Sequence, residues 1–311
     1  MCIRDSLTTV YGLDELPKDA KTVSCLWLLH PRLSKQERME PIAAAAINAW
    51  RARLRKQSGG AQQHGLIGVS FDQRNHGTRL VDKVSNEAWR AGNPRHAQDM
   101  FSCFQGTATD VSQLLHYLPA YVFPSDECKI TSHMVLGVSL GGHAAWHCLL
   151  HDNRISTAIV VIGCADYARV MKDRARLSKL KTWTSSDPPG SEFMGSTDFP
   201  KSLVEALDKY DPAALLMAEM NITDENYTRD PTDNEKTKLM PLMREHLQGK
   251  RILNMAGGAD KLVPYKMSEP FLKWLKKAIG PNGWFTGRDV HLEDKVYDLS
   301  LIHISEPTRP Y

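Results

Sequence analysis

Residues 134–146 have the sequence MVLGVSLGGHAAW, which joins an apolar run to a segment of helical composition. It opens with MVLGV (134–138), an apolar run with the length and composition of a buried strand. The residues that follow, GGHAAWHCLLH (141–151), are rich in alanine and leucine, which favour a helix. GVSLG (137–141), a GxSxG pattern, stands at the junction. The sequence therefore predicts a strand, a sharp turn at Ser139 and a helix.

Outward from this stretch, short apolar runs alternate with segments of helical periodicity. The predicted strands are TVSCLWLL (22–29), GLIGVSFD (65–72), MVLGV (134–138), STAIVVIG (156–163), RILNMAGG (251–258) and VHLEDKVYD (290–298). The predicted helices cover 37–56, 107–122, 141–151, 203–210, 212–220 and 264–280, and 78–104 is predicted to be irregular. Strands of a parallel sheet are buried on both faces and read as continuous apolar runs. The alternation predicts an α/β fold with a mostly parallel central sheet and helices on both faces.

The domain organisation that we predict is one α/β domain over residues 7–298. Residues 166–250 interrupt the alternation after the fourth predicted strand, and they predict a small insertion of helices and loops, or a lid. The polar stretch 221–237 within it is predicted to be exposed. The aromatic side chains of the insertion, Phe193 and Phe199 among them, could line a substrate pocket or form a small core.

Composition and charge exclude several classes of function. The 39 basic and 36 acidic residues are well mixed, so no basic stripe predicts a nucleic-acid partner. The longest apolar runs are too short to cross a bilayer, and no secretory signal is visible. The six cysteines show neither a CxxC pair nor regular spacing, which indicates reduced, buried thiols. We therefore expect a cytoplasmic protein without a membrane span.

The GxSxG pattern indicates chemistry because it stands between a strand and a helix. A serine on such a turn has a strained backbone and an exposed hydroxyl, and the flanking glycines let neighbouring backbone approach. The helix that follows directs its first N–H groups towards developing negative charge. The alternative is a glycine-rich turn with an incidental serine. The context favours Ser139 as a nucleophile.

In these features the chain resembles the α/β-hydrolase superfamily over most of residues 20–298. A narrower resemblance links FDQRNHGTR (71–79), GVSLGGHAAW (137–146) and YDPAALL (210–216) to fungal members, and it implies no particular substrate. The superfamily resemblance implies a serine hydrolase that uses a Ser-His-Asp triad and an acyl-enzyme, with Ser139 as nucleophile. It implies a small-molecule acyl substrate as partner, with no cofactor and no metal.

Two backbone N–H groups hold the developing oxyanion in such enzymes. The first would come from Leu140, the residue after the nucleophile, and the second from the loop LLHPRL (28–33). Many relatives carry His-Gly in this loop, whereas this chain has His-Pro, and proline has no N–H. The resemblance therefore implies Arg32 as the second donor, with Leu33 as the alternative. His30 is expected to shape the turn.

The triad acid is expected in the loop after the strand RILNMAGG. The stretch GGADKLVP resembles the acid loop of the superfamily, and it places Asp260 just past that strand and after Ser139 in chain order. Asp260 would orient the histidine and stabilise its protonated form. A turn aspartate without a catalytic role is the alternative, and Asp166, after the preceding strand, is the rival acid.

The triad histidine is the difficulty, because only two histidines follow Asp260. His291 begins the last predicted strand and would lie at the wrong end of it. His303 follows Asp298 by five residues, close to the expected place, and is the provisional base.

The segment that carries His303 is itself suspect. SLIHISEPTRPY and the initial MCIRDS resemble translated sequencing-adapter sequence. Residues 1–6 and 299–311 are therefore predicted to be non-native tails, and the C-terminus is predicted to be truncated. The native gene is expected to encode the catalytic histidine beyond Asp298.

A carboxylesterase-like reaction is the function that the sequence favours. A peptidase- or acyltransferase-like member of the same fold is the first alternative, and a non-catalytic binding protein on this fold is the second. His143 and His147 have the helical spacing of a metal-binding pair, but no carboxylate or cysteine pattern supports a metal, so packing is favoured. The sequence does not indicate an oligomeric state.

Overall fold

The computed structural model describes residues 2–3, 6–56, 64–220 and 226–298. Its backbone divides into two compact units. The first unit comprises Met1–Lys83 and Cys103–Ile159, and the second comprises Val84–Ser102 and Val160–Tyr311.

The first unit contains most of the strands. They are β1 (Cys2–Ile3), β2 (Ser6–Tyr11), β3 (Thr22–Leu29), β4 (His64–Phe71), β5 (Lys129–Val138) and the first part of β6 (Ile155–Val161), in the spatial order β1-β2-β4-β3-β5-β6. β3 runs parallel to β4 and to β5, whereas β2 is antiparallel to β4 and to β1. The helices are α1 (Glu40–Lys56), most of α2 (His96–Val122) and α3 (Leu140–His151).

The second unit contains the end of β6, followed in space by β7 (Arg251–Gly257) and β8 (His291–Tyr297). β7 and β8 are parallel, with Arg251 opposite His291 and Gly257 opposite Tyr297. The helices are the start of α2, α4 (Tyr167–Ser178), α5 (Lys181–Thr184), α6 (Lys201–Tyr210), α7 (Pro212–Met217), α8 (Asp233–Leu247) and α9 (Tyr265–Ile279). The predicted α/β fold with a mostly parallel sheet is confirmed. The predicted single domain over 7–298 stays a prediction.

The central strands are buried as their composition predicts. In β3 and in β4, every residue after the first is buried, so both faces of these strands are covered. Helix α3 is buried along all but its last residue, His151, because its sequence carries small and apolar side chains all round.

Several elements differ from the sequence-based expectation; helix α4, for example, was not predicted. Strand β2 was not predicted, because the adjacent polar residues Thr8 and Thr9 break the apolar run of SLTTVY. Helix α2 begins at His96 rather than at residue 107, since Gly106 does not interrupt it. A Cβ at Gly106 would overlap the Arg74 side chain, so glycine there admits the arginine against the helix.

Helix α8 covers the end of the polar stretch 221–237. It begins at Asp233, and a capping box starts it: Glu235 N–H donates to the Thr232 hydroxyl, and Thr232 N–H donates to the Glu235 carboxylate. This pairing satisfies two N–H groups that a helix start would otherwise leave unbonded. Thr232, Asp233, Asn234 and Thr237 are exposed, as the polar composition of the stretch predicts.

The aromatic residues of the predicted insertion form a core. Phe193 and Phe199 are fully buried, and their rings lie 5.5 Å apart. Trp89 and Trp183 both meet the Phe193 ring edge-on, at 6.1 and 5.9 Å. Aromatic pairs prefer such tilted arrangements in protein interiors. The packing therefore favours the small core over the pocket lining.

Among the described residues, no helix has the length and apolar character that a bilayer crossing requires. The cysteines at positions 25, 103, 128, 148 and 164 are buried and form no disulfide.

Stability should fall in mild acid because buried histidines must stay neutral in the folded chain. Burial lowers the pKa of His30 to about 4, against an ordinary value of 6.5. Below pH 6.5, His30 binds a proton in the unfolded chain, whereas in the folded chain it stays neutral down to about pH 4. The free energy of unfolding therefore falls as the pH drops from 6.5 to 4. Between pH 7 and pH 4.5, the His30 contribution to the free energy of unfolding should drop by about 2 kcal/mol.

Denaturant titrations of the wild type and of His30→Asn at both pH values measure this contribution. The variant lacks the titrating ring, so it should lose about 2 kcal/mol less than the wild type on acidification. Equal losses in the two proteins would contradict the assignment.

Candidate active site

The backbone at Ser139 has a conformation that L-residues rarely adopt. Ser139 has φ 54° and ψ −109° and stands immediately before the first residue of α3. The residue is partly exposed, while Leu140 behind it is buried. A non-glycine residue held at positive φ stores strain, and such strain is concentrated at functional sites. The predicted sharp turn between a strand and a helix is present.

Two glycines make this turn possible by leaving out a Cβ. A Cβ at Gly137 would overlap the Gly141 carbonyl, so the end of β5 lies directly against the start of α3. A Cβ at Gly141 would overlap the carbonyls of Leu29 and His30, so the start of α3 lies directly against the end of β3. Both glycines of the GxSxG pattern are therefore required by close backbone contacts, one on each side of the serine.

The start of α3 offers N–H groups beside the serine hydroxyl. The first N–H groups of an α-helix have no partner within the helix, and the helix dipole makes this end favourable for negative charge. The intrahelical ladder begins with His143 N–H, which donates to the Ser139 carbonyl at 3.0 Å. Leu140 is the first helical residue, so its N–H belongs to this group.

His30 fixes the loop that follows β3. The ring is fully buried, and its Nδ1 lies 2.8 Å from the Pro31 carbonyl oxygen. Its Nε2 accepts the Gln73 N–H at 3.0 Å, so the proton is on Nδ1 and the ring is neutral. The Gln73 side-chain amide in turn donates to the His30 carbonyl. Burial is the main cause that lowers the pKa of His30 to about 4, consistent with this neutral form.

The Pro31 carbonyl and the Arg32 N–H belong to one planar peptide and point in opposite directions. By holding the carbonyl, His30 therefore sets the direction of the Arg32 N–H. The next residue, Leu33, has φ 58° and turns the chain away.

Asp72, at the end of β4, ties this loop to the next one. Its Oδ1 accepts the Gln36 N–H at 2.8 Å, and its Oδ2 accepts both the N–H and the hydroxyl of Thr78. A Cβ at Gly77 would overlap the carboxylate, so the loop wraps tightly around it. The conspicuous FDQRNHGTR stretch is thus a structural brace for the β3 and β4 loops.

Asp260 lies in the loop after β7 and is 5% exposed. Its Oδ1 accepts two backbone N–H groups, from Leu262 at 2.9 Å and from Val263 at 2.8 Å. A surface turn aspartate would be solvated, whereas this carboxylate is buried and held. In the same loop, Gly258 N–H donates to the Tyr297 carbonyl at 2.7 Å, so the end of β8 lies beside the acid loop.

The rival acid, Asp166, has a structural task. Its Oδ1 caps α4 by accepting the Arg169 N–H at 2.9 Å, and its Oδ2 pairs with the Arg169 guanidinium at 3.3 Å. Because both carboxylate oxygens of Asp166 already bind Arg169, Asp260 is favoured over Asp166 as the carboxylate that orients the histidine.

The two C-terminal histidines have different outcomes. His303 lies outside the described residues. His291 begins β8, is exposed and pairs with Asp289 at 3.0 Å. Since β8 pairs with β7 over seven parallel residues, His291 lies six residue steps, roughly 20 Å, from the end of the sheet that carries Asp260.

His143 and His147 pack in the core of the first unit. The Phe104 ring stacks on His143 at 5.3 Å and meets His147 edge-on at 4.9 Å. In the part of the chain that the structure describes, no group of His, Cys, Asp and Glu side chains could hold a metal ion.

Each candidate residue is assigned to one of the two compact units. Ser139, Leu140 and Arg32 belong to the first unit, in which the Gly141 contact brings the serine turn against the end of β3. Asp260 belongs to the second. Sequence reasoning missed two residues that brace these loops, Gln73 and Arg174; the position of Gln73 directly after a predicted strand end was the one available signal.

Comparison with known proteins gives similarity in structure alone. No protein-family model and no curated protein matches the chain. The chain is similar to TT1662 of Thermus thermophilus, with a TM-score of 0.48 and 13% identity over 96% of this chain and 88% of that one. It is also similar to the Pyrococcus furiosus esterase Pf2001 (TM-score 0.43, 14% identity, 92% and 78% covered). A thermostable carboxyl esterase of Bacillus coagulans has a TM-score of 0.42 and 12% identity, with 93% and 84% covered.

Proposed function

We propose that the protein is a serine hydrolase that acts on a carboxylic ester or a related acyl substrate. The observation that carries the proposal is the left-handed backbone of Ser139 at the start of α3, enforced by backbone contacts at Gly137 and Gly141. A strained, partly exposed serine beside helix N–H groups suits a nucleophile, whereas a binding module gains nothing from the strain.

The reaction would proceed through an acyl-enzyme. The Ser139 hydroxyl attacks the carbonyl carbon while a histidine takes its proton, and the carbonyl oxygen becomes an oxyanion. The tetrahedral intermediate collapses, and the histidine returns the proton to the leaving alcohol. A water molecule then attacks the acyl carbon while the histidine takes a proton from it. The second tetrahedral intermediate collapses, the acid leaves, and the histidine returns the proton to the Ser139 oxygen.

The N–H groups of Leu140 and Arg32 would hold the oxyanion. Each such donor is worth roughly 3–4 kcal/mol in enzymes where it has been removed. Leu140 offers its N–H as the first residue of α3, and the hydrogen bond from His30 to the Pro31 carbonyl aims the Arg32 N–H. A fixed donor needs no reorganisation during the reaction.

Asp260 would orient the catalytic histidine. Its Oδ1 is held by two backbone N–H groups, which preorganises the carboxylate. The bond between Gly258 and Tyr297 brings the end of β8 beside Asp260, which supports a histidine encoded shortly after Asp298. His303 stays the provisional base, and residues 1–6 and 299–311 stay proposed non-native tails.

The proposed setting of the enzyme is the cytoplasm. The buried cysteines of the described residues form no disulfide, which suits a reducing compartment. A small-molecule acyl substrate is the proposed partner, with no cofactor and no nucleic acid.

A fluorophosphonate probe should label Ser139 in the protein expressed from its genomic locus. The probe forms a bond between phosphorus and the serine oxygen and releases fluoride, so it reports an activated serine. Ser139→Ala should abolish labelling, whereas Ser125→Ala, at an exposed loop serine, should label like the wild type.

Absence of labelling in the locus protein would contradict the serine-hydrolase proposal. Labelling of the locus protein but not of the chain that ends in SLIHISEPTRPY would support a foreign tail.

The second oxyanion donor can be tested by comparing Arg32→Pro with Arg32→Ala. Both changes remove the guanidinium, but only proline also removes the N–H. We expect kcat/KM of the proline variant to be on the order of 10²- to 10³-fold below that of the alanine variant. Equal values, with both proteins folded, would exclude Arg32 as a donor and favour Leu33.

A further inference from the structure

Arg174 makes a contact with the Asp260 loop that the proposed mechanism does not yet use. Arg174 lies on α4, and its Nη2 donates to the Leu262 carbonyl oxygen at 3.0 Å. Its Nη1 lies 3.1 Å from His96 Nε2 and 3.0 Å from the Met100 sulfur. One guanidinium thus joins the acid loop to the first turns of α2.

The Leu262 carbonyl is half of a peptide whose other half holds Asp260. The N–H of that peptide belongs to Val263, and it donates to Asp260 Oδ1 at 2.8 Å. Because the peptide is planar, an arginine that holds the carbonyl also sets the direction of the N–H. A hydrogen bond at the carbonyl further polarises the N–H and strengthens its bond to the carboxylate.

Arg174 is itself held from the other side. His96 is 1% exposed, and its Nδ1 bonds the Glu87 carbonyl at 2.8 Å, which leaves Nε2 to accept from the guanidinium. The Tyr167 hydroxyl, at the start of α4, donates to the Ala97 carbonyl at 2.7 Å and anchors the helix nearby. The arginine is therefore fixed between a buried histidine and the acid loop.

We propose that Arg174 is a positioning residue for Asp260, acting through the Leu262–Val263 peptide. The inference rests on the proposed role of Asp260 as triad acid. It assigns to this arginine the same task that His30 performs for the Arg32 peptide. Arginine suits the task because its planar fork meets several acceptors at once, whereas lysine presents a point charge.

Arg176 provides a matched control on the same helix. It lies two residues further on and pairs with Asp173 at 2.7 Å in an exposed position. Arg176→Ala removes the same charge and the same chain length as Arg174→Ala without touching the acid loop.

The kinetic arm compares Arg174→Ala, Arg174→Lys and Arg176→Ala with the wild type in ester hydrolysis. A displaced Asp260 orients the histidine poorly, so kcat of Arg174→Ala should fall on the order of 10- to 100-fold. KM should stay within about twofold of the wild type, since substrate binding is not touched. Arg174→Lys should lose less, and Arg176→Ala should match the wild type.

The pH arm uses Arg174→Lys, which keeps the positive charge. A carboxylate that is held less well stabilises the imidazolium less, so the acid limb of kcat/KM should move to lower pH. A residue that only stabilises the fold would lower the melting temperature without moving this limb. An unmoved limb together with wild-type kcat in both Arg174 variants would overturn the proposal.

Amide hydrogen exchange gives a readout that does not require activity. The amides of Leu262 and Val263 both donate to Asp260, so they should exchange faster in the Arg174 variants than in Arg176→Ala or the wild type. If Arg174→Ala fails to fold, Arg174→Lys can be used alone for both the kinetic and the pH measurements. An inactive wild type would refute the proposed function, and unchanged exchange at the two amides would separately refute the positioning role.

Discussion

The structure around Ser139 depends on two backbone contacts that leave no room for a Cβ. At Gly137 the end of β5 lies against the carbonyl of Gly141, and at Gly141 the start of α3 lies against the end of β3. These contacts force the serine into positive φ and present it ahead of the first helical N–H groups. They also join the serine turn to the loop that carries the proposed second oxyanion donor. Strain at one residue is stable here because close packing on both sides determines it.

The same physical device recurs at two loops of the candidate site. In each, a buried or half-buried side chain donates to a carbonyl, and the planar peptide then aims the N–H on its other side. His30 holds the Pro31 carbonyl and so directs the Arg32 N–H, while Arg174 holds the Leu262 carbonyl and so directs the Val263 N–H. Without these hydrogen bonds, the Arg32 and Val263 N–H groups would be free to change direction, because the loops have no regular backbone hydrogen bonding. A donor that must reorganise during the reaction stabilises the transition state less.

Much of the fold could be predicted from the sequence because buried parallel strands appear in it as continuous apolar runs. The apolar runs of β3, β4 and β7 appear as continuous hydrophobic segments, and GVSLG marks its own turn by residue type and spacing. Strand β2 was not predicted because Thr8 and Thr9 interrupt its apolar residues. The first part of α2 was not predicted because a glycine, Gly106, usually weakens a helix. The reason for glycine at this position is the Arg74 side chain packed against it, which the sequence does not reveal.

The supporting residues of the site could not be predicted, for a different reason. Arg174 and Arg176 stand in one charged helical segment, KDRAR, and nothing local separates the one that reaches the acid loop from the one that faces solvent. Their difference arises only when Leu262 and His96 are brought to the same side of α4. Likewise, the pairing of His30 with Gln73 joins residues more than 40 positions apart in the chain.

In the proposed reaction Ser139 carries the acyl group during turnover. The test is to mix the locus-encoded protein rapidly with an activated ester, quench with acid, digest the protein and analyse its peptides by mass spectrometry. We expect an added acyl mass on the peptide that contains Ser139, and this mass should disappear as hydrolysis completes. Ester turnover with no adduct on that peptide, or with the adduct on another residue, would contradict the proposed reaction.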